Sequence, residues 1–317
     1  MYFEKLREAL GRYAVGVHEV GAPASAEELR RAVARLGRTL PPEWVELYRS
    51  WDGLRLFCDS FTLVEAASVA LSGELLRIGE ALGAPLFLDE KGRIFEADEA
   101  GDLHLVGSSI EKWLAALMAR EALLVDREGE WKEVFSGGAL RSEVRVKRMR
   151  AGLKADPDAA AWHEEAAELA FEAGDSDEAV RALEQAVAAD PKAGAAWALL
   201  GGLRRLAGNP AEAERSFIRA AEASGDPARR RDRFAEAARA AVEAGDEPAR
   251  ARDAARALAA GEAFAEEWLA EARAREADGD VDGALNRATL VAALVPGGDA
   301  DALARRLRAR IKLRPIA

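Results

Sequence analysis

The C-terminal half of the chain alternates helix-forming stretches with glycine turns at a regular spacing. Apolar and small residues recur there one helical turn apart, as at Ala213, Phe217 and Ala220. Each turn is marked by a glycine followed by aspartate or asparagine, at Gly174, Gly208, Gly245 and Gly279. These glycines are 34, 37 and 34 residues apart. Because helical spacing precedes and follows each turn, the pattern predicts four helical hairpins.

The second hairpin resembles a tetratricopeptide repeat at the positions Trp197, Leu200, Gly201, Gly208, Ala213, Phe217 and Ala220. Repeats of that family are about 34 residues long, and each buries its apolar face against a neighbour. The resemblance covers residues 159–296. The third hairpin departs from it, with three extra residues, Pro248 in its second helix, and Ala254 where Phe217 stands. We expect this hairpin to be looser or tilted.

The repeats define the predicted domain organisation. Residues 299–313 place Leu303, Leu307 and Ile311 on one helical face and predict a capping helix. A further helix over residues 139–153 is expected to join the two halves after the break at Ser136-Gly137-Gly138. The predicted domains are an α+β domain at 1–135, a linker with the joining helix at 136–158, and an all-α solenoid at 159–317.

The N-terminal pattern begins with helical spacing and then changes to a period near two. Ser25 and Glu28 form a capping box before one helix, and Pro41-Pro42 begins a second helix. One face of that second helix carries Trp44, Leu47, Tyr48 and Trp51. Short strands are predicted at 54–57, 61–63, 86–88, 94–95 and 103–106, with a hairpin turn at 89–92. A capping box at Ser108 and Glu111 predicts a closing helix, so the domain is α+β with an antiparallel sheet.

The segment Leu40 to Gly53, which reads LPPEWVELYRSWDG, is similar to the SMI1/KNR4 family, also called the SUKH superfamily. The resemblance covers about residues 25–120. It implies a non-catalytic binding domain, because bacterial members often act as immunity proteins that neutralise toxins and fungal members are regulatory. Spacing and composition show no toxin binding by themselves.

Charge bears on the class of partner. The chain has a net charge of −11, of which residues 1–138 contribute −8 (24 acidic against 16 basic) and the rest −3 (32 against 29). This balance disfavours nucleic acid and anionic membranes. It suits a basic protein partner, and it equally suits solubility alone. The arginine clusters at 229–231, 141–154 and 305–314 are interpreted as solvated helix faces.

Further features bear on compartment and chemistry. The single cysteine, Cys58, predicts a reducing compartment, and the N-terminus lacks a signal-peptide pattern, so we expect a cytoplasmic protein. No apolar run approaches the roughly 20 residues of a membrane span. The histidines, His18, His104 and His163, are scattered, and no glycine-rich phosphate loop is present. The sequence therefore predicts no enzyme, no cofactor and no metal site.

Candidate partner-binding residues come from both halves. In the helical half, the groove face is predicted to carry Glu164, Glu168, Phe171, Arg205, Arg239 and Arg273. A row of arginines could grip partner carboxylates, and an ordinary solvated face is the alternative. The carboxylate clamp of chaperone-binding repeats is not expected, because the two asparagines, Asn209 and Asn286, lie off the groove. In the N-terminal half, Trp44, Tyr48 and Trp51 are interpreted as core residues first and partner contacts second.

These observations predict a non-catalytic protein-binding protein. The first hypothesis is an adaptor or immunity-type protein, whose SUKH-like domain binds a partner such as a toxin and whose repeats bind peptides or proteins. The alternative is a scaffold that assembles a bacterial complex without any link to a toxin.

Overall fold

The computed structural model describes residues 2–99, 101–259 and 263–312. Its chain divides into two compact units, Met1–Asp190 and Pro191–Ala317. The first unit combines the sheet domain with the first helical hairpin, and the second contains the later hairpins. An N-terminal α+β region followed by an all-helical repeat array confirms the predicted fold class.

The helices of the first unit are α1 (Tyr2–Leu10), α2 (Ala26–Leu36), α3 (Pro42–Ser50), α4 (Ile110–Glu121), α5 (Ser142–Ala155), α6 (Ala160–Glu172) and α7 (Ser176–Ala189). Its strands are β1 (His18–Val20), β2 (Leu54–Leu56), β3 (Phe61–Leu63), β4 (Ala70–Ser72), β5 (Leu75–Ala81), β6 (Ala84–Leu88), β7 (Ile94–Ala97), β8 (Leu103–Gly107), β9 (Phe135–Ser136) and β10 (Ala139–Leu140). A 3-10 turn lies at Ala66–Ser68.

The main sheet is antiparallel, in the order β1-β2-β3-β5-β6-β7-β8, with β4 also paired to β5. Strand β5, which the sequence pattern did not predict, is central to it. Gly79 in β5 lies so close to β3 that an added Cβ would stand 1.9 Å from the Thr62 carbonyl oxygen. The β5–β6 register shifts between Arg77 and Gly79, so glycine permits both the bulge and the close approach.

Local signals explain where the helices begin. The capping box of α2 is confirmed, because the Glu28 amide donates to Ser25 Oγ (3.2 Å) and the Ser25 amide donates to Glu28 Oε2 (2.7 Å). The predicted box at Ser108 and Glu111 is wrong. Ser109 caps α4 by accepting from the Lys112 amide at 3.3 Å. The Ser108 hydroxyl is engaged elsewhere, since it donates to the buried carboxylate of Asp156.

The core of the sheet domain is built on the aromatic stripe of α3. Trp44, Tyr48 and Trp51 are fully buried and belong to one apolar cluster that also includes the sheet residues Leu76 and Leu86. Phe3 of α1 packs edge-on against Trp51, with ring centres 5.6 Å apart. Helix α3 is therefore an internal element that anchors α1 and the sheet.

The second unit contains α8 (Gly194–Leu206), α9 (Pro210–Ala223), α10 (Pro227–Ala244), α11 (Glu247–Leu258), α12 (Ala263–Ala277), α13 (Val281–Leu294) and α14 (Asp299–Lys312). Helix α14 confirms the predicted cap, with Leu303 and Leu307 buried; residue 313, the last of that prediction, lies outside the described residues. Within the described residues, no helix is both long enough and apolar enough to cross a bilayer.

The glycine turns form as predicted in both units. Gly174, Gly208, Gly245 and Gly279 have φ values of 80°, 80°, 74° and 84°, which favour glycine. The aspartates that follow three of them accept a backbone amide of the next helix at 2.9 to 3.0 Å. The glycine thus ends one helix and the aspartate begins the next.

The third hairpin differs from its neighbours through α10. Its helix has 18 residues, against 13 in α8 and 15 in α12, so the extra residues lengthen the first helix of the pair. Ala254 is buried in the same apolar cluster as Phe234 and Trp268. Phe234 of α10 thus contributes an aromatic ring to this cluster, whereas Ala254 of α11 contributes only a methyl group.

Candidate partner-binding surfaces

The predicted site residues occupy very different environments. Trp44, Tyr48 and Trp51 offer no surface, because all three lie inside the core of the sheet domain. Their burial fits the interpretation of this stripe as core, which the sequence favoured.

The three predicted groove arginines already have partners inside the second unit. Arg239 is only 6% exposed; its guanidinium donates to Asn286 Oδ1 and pairs with Glu236. Burial lowers the pKa of Arg239. Arg205 is partly buried beside Glu243 (Nη1–Oε1 3.2 Å), whereas Arg273 is exposed and pairs with Asp299 at 2.6 Å. Arg273 is therefore the most accessible guanidinium of the three.

A cavity of about 220 Å³ in the second unit lies among α10, α12 and α13. Trp268 is on its wall, with the guanidinium carbons of Arg231 and Arg287 at 5.2 and 4.6 Å from its ring centre. Arg287 also pairs with Glu271 (Nε–Oε2 3.0 Å). Because cations already cover this indole, the cavity offers charged rather than apolar contacts.

Glu164 and Glu168 of α6 line a larger cavity inside the first unit, which we call the charged cavity. It has a volume of about 390 Å³ and lies among β7, β8, α4, α5 and α6. Its acidic residues are Glu96, Glu121, Glu164, Glu165 and Glu168, and its basic residues are His104, Arg120 and Arg148. The sequence did not predict it, because these residues come from five elements.

Three ion pairs cross the charged cavity. His104 Nδ1 lies 2.9 Å from Glu164 Oε2, Arg120 Nη2 lies 3.0 Å from Glu165 Oε2, and Arg148 Nη2 lies 2.5 Å from Glu121 Oε1. The Arg120 guanidinium also stacks on the Trp162 ring, 3.9 Å from its centre. The first two pairs hold α6 against β8 and α4, and the third joins α5 to α4.

The pH dependence of stability follows from His104. Its pKa is raised to about 9, chiefly by the hydrogen bond to Glu164, with Asp98 and Asp102 adding to the effect. Since the folded pKa exceeds the unfolded value of 6.5, this stabilisation is complete below pH 6.5 and is lost as the pH rises through 9. We expect His104→Gln to lower the free energy of unfolding by about 2 kcal/mol at pH 6, after allowing for solvent screening.

Urea titrations of the wild type and His104→Gln across the pH range test this expectation. The difference between the two proteins should shrink toward zero above pH 9. A difference that stays constant with pH would show that His104 acts through packing alone. His163→Gln is the matched control, because this half-buried ring is hydrogen-bonded to the Pro157 carbonyl at 2.8 Å and has no ion pair within the part of the chain that the structure describes.

An apolar cleft of about 360 Å³ lies beside the charged cavity in the same unit. We call it the aromatic cleft, and its apolar lining includes Phe57, Leu82, Trp131, Phe135 and Leu140. Trp131, Phe135 and Leu82 are 59%, 42% and 71% exposed. The Trp131 and Phe135 rings pack edge to face, with their centres 5.5 Å apart. Exposed clustered aromatics of this kind mark interaction surfaces.

Two turns place Trp131 and Phe135 at the surface. Asp126 Oδ1 accepts from the amides of Glu128 and Glu130, and this turn leads into a bridge between Val125 and Trp131. The β9–β10 hairpin, with Gly137-Gly138 at its turn, carries Phe135. The sequence signal for this surface was the pair of aromatics in a turn-rich segment, which no helical or strand period assigns to a core.

Backbone strain lies at the edge of the aromatic cleft. Phe57, Cys58 and Asp59 form a run of left-handed residues, with φ values of 54°, 54° and 65°, and Leu82 has φ 51°. Each such non-glycine residue costs about 1–2 kcal/mol, and strain of this kind concentrates at functional sites. Cys58 is exposed here as a free thiol. Within the described residues, no group of three or more His, Cys, Asp or Glu side chains is arranged to hold a metal ion.

Comparison with known proteins supports the repeat. A family model described as tetratricopeptide repeat matches residues 146–180 and 165–229. Among solved structures, YrrB, described as a TPR protein with an unusual peptide-binding site, is 20% identical, with a TM-score of 0.33 and coverage of 52% of this chain and 84% of its own. MamA is 18% identical, with a TM-score of 0.31 and coverage of 48% and 88%.

The pilF protein of Pseudomonas aeruginosa is 17% identical, with a TM-score of 0.34 and coverage of 63% of this chain and 81% of its own. No curated protein matches the chain. The matched residues run from within α5 to the first turn of α10, so the family model supports tetratricopeptide repeats in this helical part of the chain.

Proposed function

We propose that this chain is a non-catalytic, cytoplasmic adaptor of the immunity type. Its sheet domain binds a protein partner, and its hairpins bind a peptide or a second protein. The recurrence of helical hairpins in tetratricopeptide register carries the proposal, because proteins built from such repeats are protein-interaction scaffolds.

The aromatic cleft is the surface where we place the partner of the sheet domain. Its exposed indole and phenyl groups supply large apolar areas with few rotatable bonds, which is typical of interface anchors. Phe171, which is exposed on α6, and Arg273, which is exposed on α12, are the contacts proposed for the repeats.

A toxin is the proposed partner of the sheet domain. This part of the proposal rests on the Leu40 to Gly53 segment, which is similar to the SUKH superfamily, and on the charge of residues 1–138. With 24 acidic and 16 basic residues, the segment would attract a basic protein such as a nuclease.

The test uses the full chain as affinity bait in its native host, followed by measurement of Kd with each purified partner. We expect Trp131→Ala combined with Phe135→Ala to weaken binding of the sheet-domain partner at least about tenfold. Leu71→Ala, which removes an exposed apolar side chain from β4, is the control and should change Kd less than about twofold.

The outcomes separate the immunity hypothesis from the scaffold. A captured toxin whose activity the wild type inhibits, and the double variant does not, supports the immunity role. A non-toxic partner whose binding is lost in Phe171→Ala or Arg273→Ala, and kept in the double variant, would replace it with a scaffold for complex assembly.

A further inference from the structure

We propose that the charged cavity binds a basic side chain, arginine or lysine, from the protein segment that docks on the aromatic cleft. This inference deepens the proposed function and rests on it for the identity of the docking protein. The site and its ligand class follow from charge balance, unpartnered polar atoms and the position of the cavity.

The glutamates that line the charged cavity outnumber its basic residues by two. Five glutamates and three basic residues line it, and each base is paired with one glutamate, so five less three leaves two. Those two are Glu96 and Glu168. Among the described residues, neither has an ion-pair partner within 4.0 Å. Arg145, whose positive charge acts on Glu168, forms its ion pair with Glu172 (Nη1–Oε2 2.7 Å).

The two remaining carboxylates differ in burial, since Glu96 is half-buried and Glu168 is exposed. Desolvation raises the pKa of both Glu96 and Glu168 above the ordinary value. A cation placed between the cavity walls would restore the electrostatic stabilisation that the loss of water removed. The cavity therefore favours a positively charged occupant over a neutral or anionic one.

The walls also hold polar atoms without partners, which point to a peptide rather than a free cation. Trp162 is only 7% exposed and lines the cavity, and its indole Nε1–H has no hydrogen-bond acceptor among the described residues. Arg120 Nε–H likewise lacks an acceptor, and Glu164 Oε1 lacks a donor. Each of these atoms exposes less than 1 Å², so the wall side chains must move before a peptide can reach them. A basic side chain would then supply donors to the carboxylates, and the carbonyl groups of its own backbone would accept from the N–H groups.

The aromatic cleft beside the cavity indicates which type of residue the partner segment carries next to its basic residue. Leu82, Glu121 and Arg148 line both the charged cavity and the aromatic cleft, so the two share a border. A segment lying across both would place a bulky apolar residue on Trp131 and its basic neighbour in the cavity. The Glu121–Arg148 ion pair forms the wall between them.

The test titrates the full chain with a defined peptide, acetyl-Leu-Gly-Arg-Gly-amide, and with its analogue in which citrulline replaces arginine. Citrulline keeps the shape of the side chain and removes its charge. Binding is followed by the indole N–H signals in two-dimensional NMR, and Trp162→Phe assigns the signal at the site. We expect the arginine peptide to shift the Trp162 signal and the citrulline peptide to bind at least about tenfold more weakly.

Charge-neutral variants of the two unpaired acids sharpen the result. Glu96→Gln and Glu168→Gln should each weaken the arginine peptide about fivefold and leave the remaining NMR spectrum unchanged. Glu90→Gln, on the exposed turn between β6 and β7, is the control and should leave the affinity unchanged. Both glutamine variants conserve volume, so a folding defect would be visible in the spectrum and separable from lost binding.

Equal affinity for the arginine and citrulline peptides, or no loss in either glutamine variant, would overturn the inference. If the arginine peptide fails to bind while Trp131→Ala with Phe135→Ala still abolishes partner binding, the cavity proposal falls and the proposed function stands. If the peptide binds as expected and no protein partner depends on the cleft, the proposed function falls and the cavity remains a site for basic side chains.

Discussion

Replacing Trp44 by alanine is expected to lower the free energy of unfolding of the first unit by about 4 kcal/mol. Trp44 is 0% exposed and lies beside Tyr48, with ring centres 6.1 Å apart, in the cluster that joins α3 to the sheet. Removing the indole leaves a cavity that the paired strands cannot close without losing their register. Urea titration followed by tryptophan fluorescence measures the effect, since five of the seven tryptophans lie in this unit.

The matched control is Trp131→Ala, which removes the same side chain from an exposed position. We expect a change in stability of less than about 1 kcal/mol, together with weaker binding of the sheet-domain partner. The two variants therefore separate packing from recognition. If Trp131→Ala destabilised the unit as much as Trp44→Ala, the aromatic cleft would be part of the core and not a binding surface.

The repeat could be predicted from sequence because its turns impose a local requirement. A left-handed residue must end each first helix, which selects glycine, and at three of the four turns the side chain of the next residue caps the second helix, which selects aspartate. Both requirements act within a few residues. The α2 capping box and the α3 stripe were predicted for the same reason, since each is set by spacing within one helix.

The environment of single charged residues could not be predicted in the same way. Arg239 and Arg273 occupy the same position in successive repeats, yet one is buried against Asn286 and the other is exposed beside Asp299. The difference depends on which helix lies opposite, not on the local sequence. Ser108 is a second example. It fits the capping pattern, but its amide and hydroxyl donate to the carboxylate of Asp156, at the end of α5.

Both candidate surfaces of the first unit were missed for related reasons. The aromatic cleft is built from turns and short strands, where no period distinguishes an exposed tryptophan from a buried one. The charged cavity joins β7 and β8 to α6, which follows more than fifty residues later. The sequence predicted Glu164 and Glu168 for the groove of the repeats. In the structure they line a cavity whose opposite wall belongs to the sheet domain.

Asp156 is expected to be the main polar link within that arrangement, and Asp156→Ala should lower the free energy of unfolding by about 3 kcal/mol. Its carboxylate is fully buried and accepts the Ser108 amide at 2.6 Å and the Ser108 hydroxyl at 2.7 Å. Alanine would remove the acceptor of both half-buried donors. Asp158→Ala is the control, since its exposed carboxylate only pairs with Lys112, and should cost less than about 1 kcal/mol.

The same pair of variants connects the fold to the proposed site. Asp156 ends α5 and fixes the start of α6 against the loop before α4, so it positions the helix that carries Glu164 and Glu168. Asp156→Ala should therefore weaken the arginine peptide under conditions where the unit is still folded, while Asp158→Ala should not. Loss of stability with unchanged peptide affinity would show that the charged cavity keeps its geometry without this link, and that the His104–Glu164 and Arg120–Glu165 ion pairs are enough to position α6.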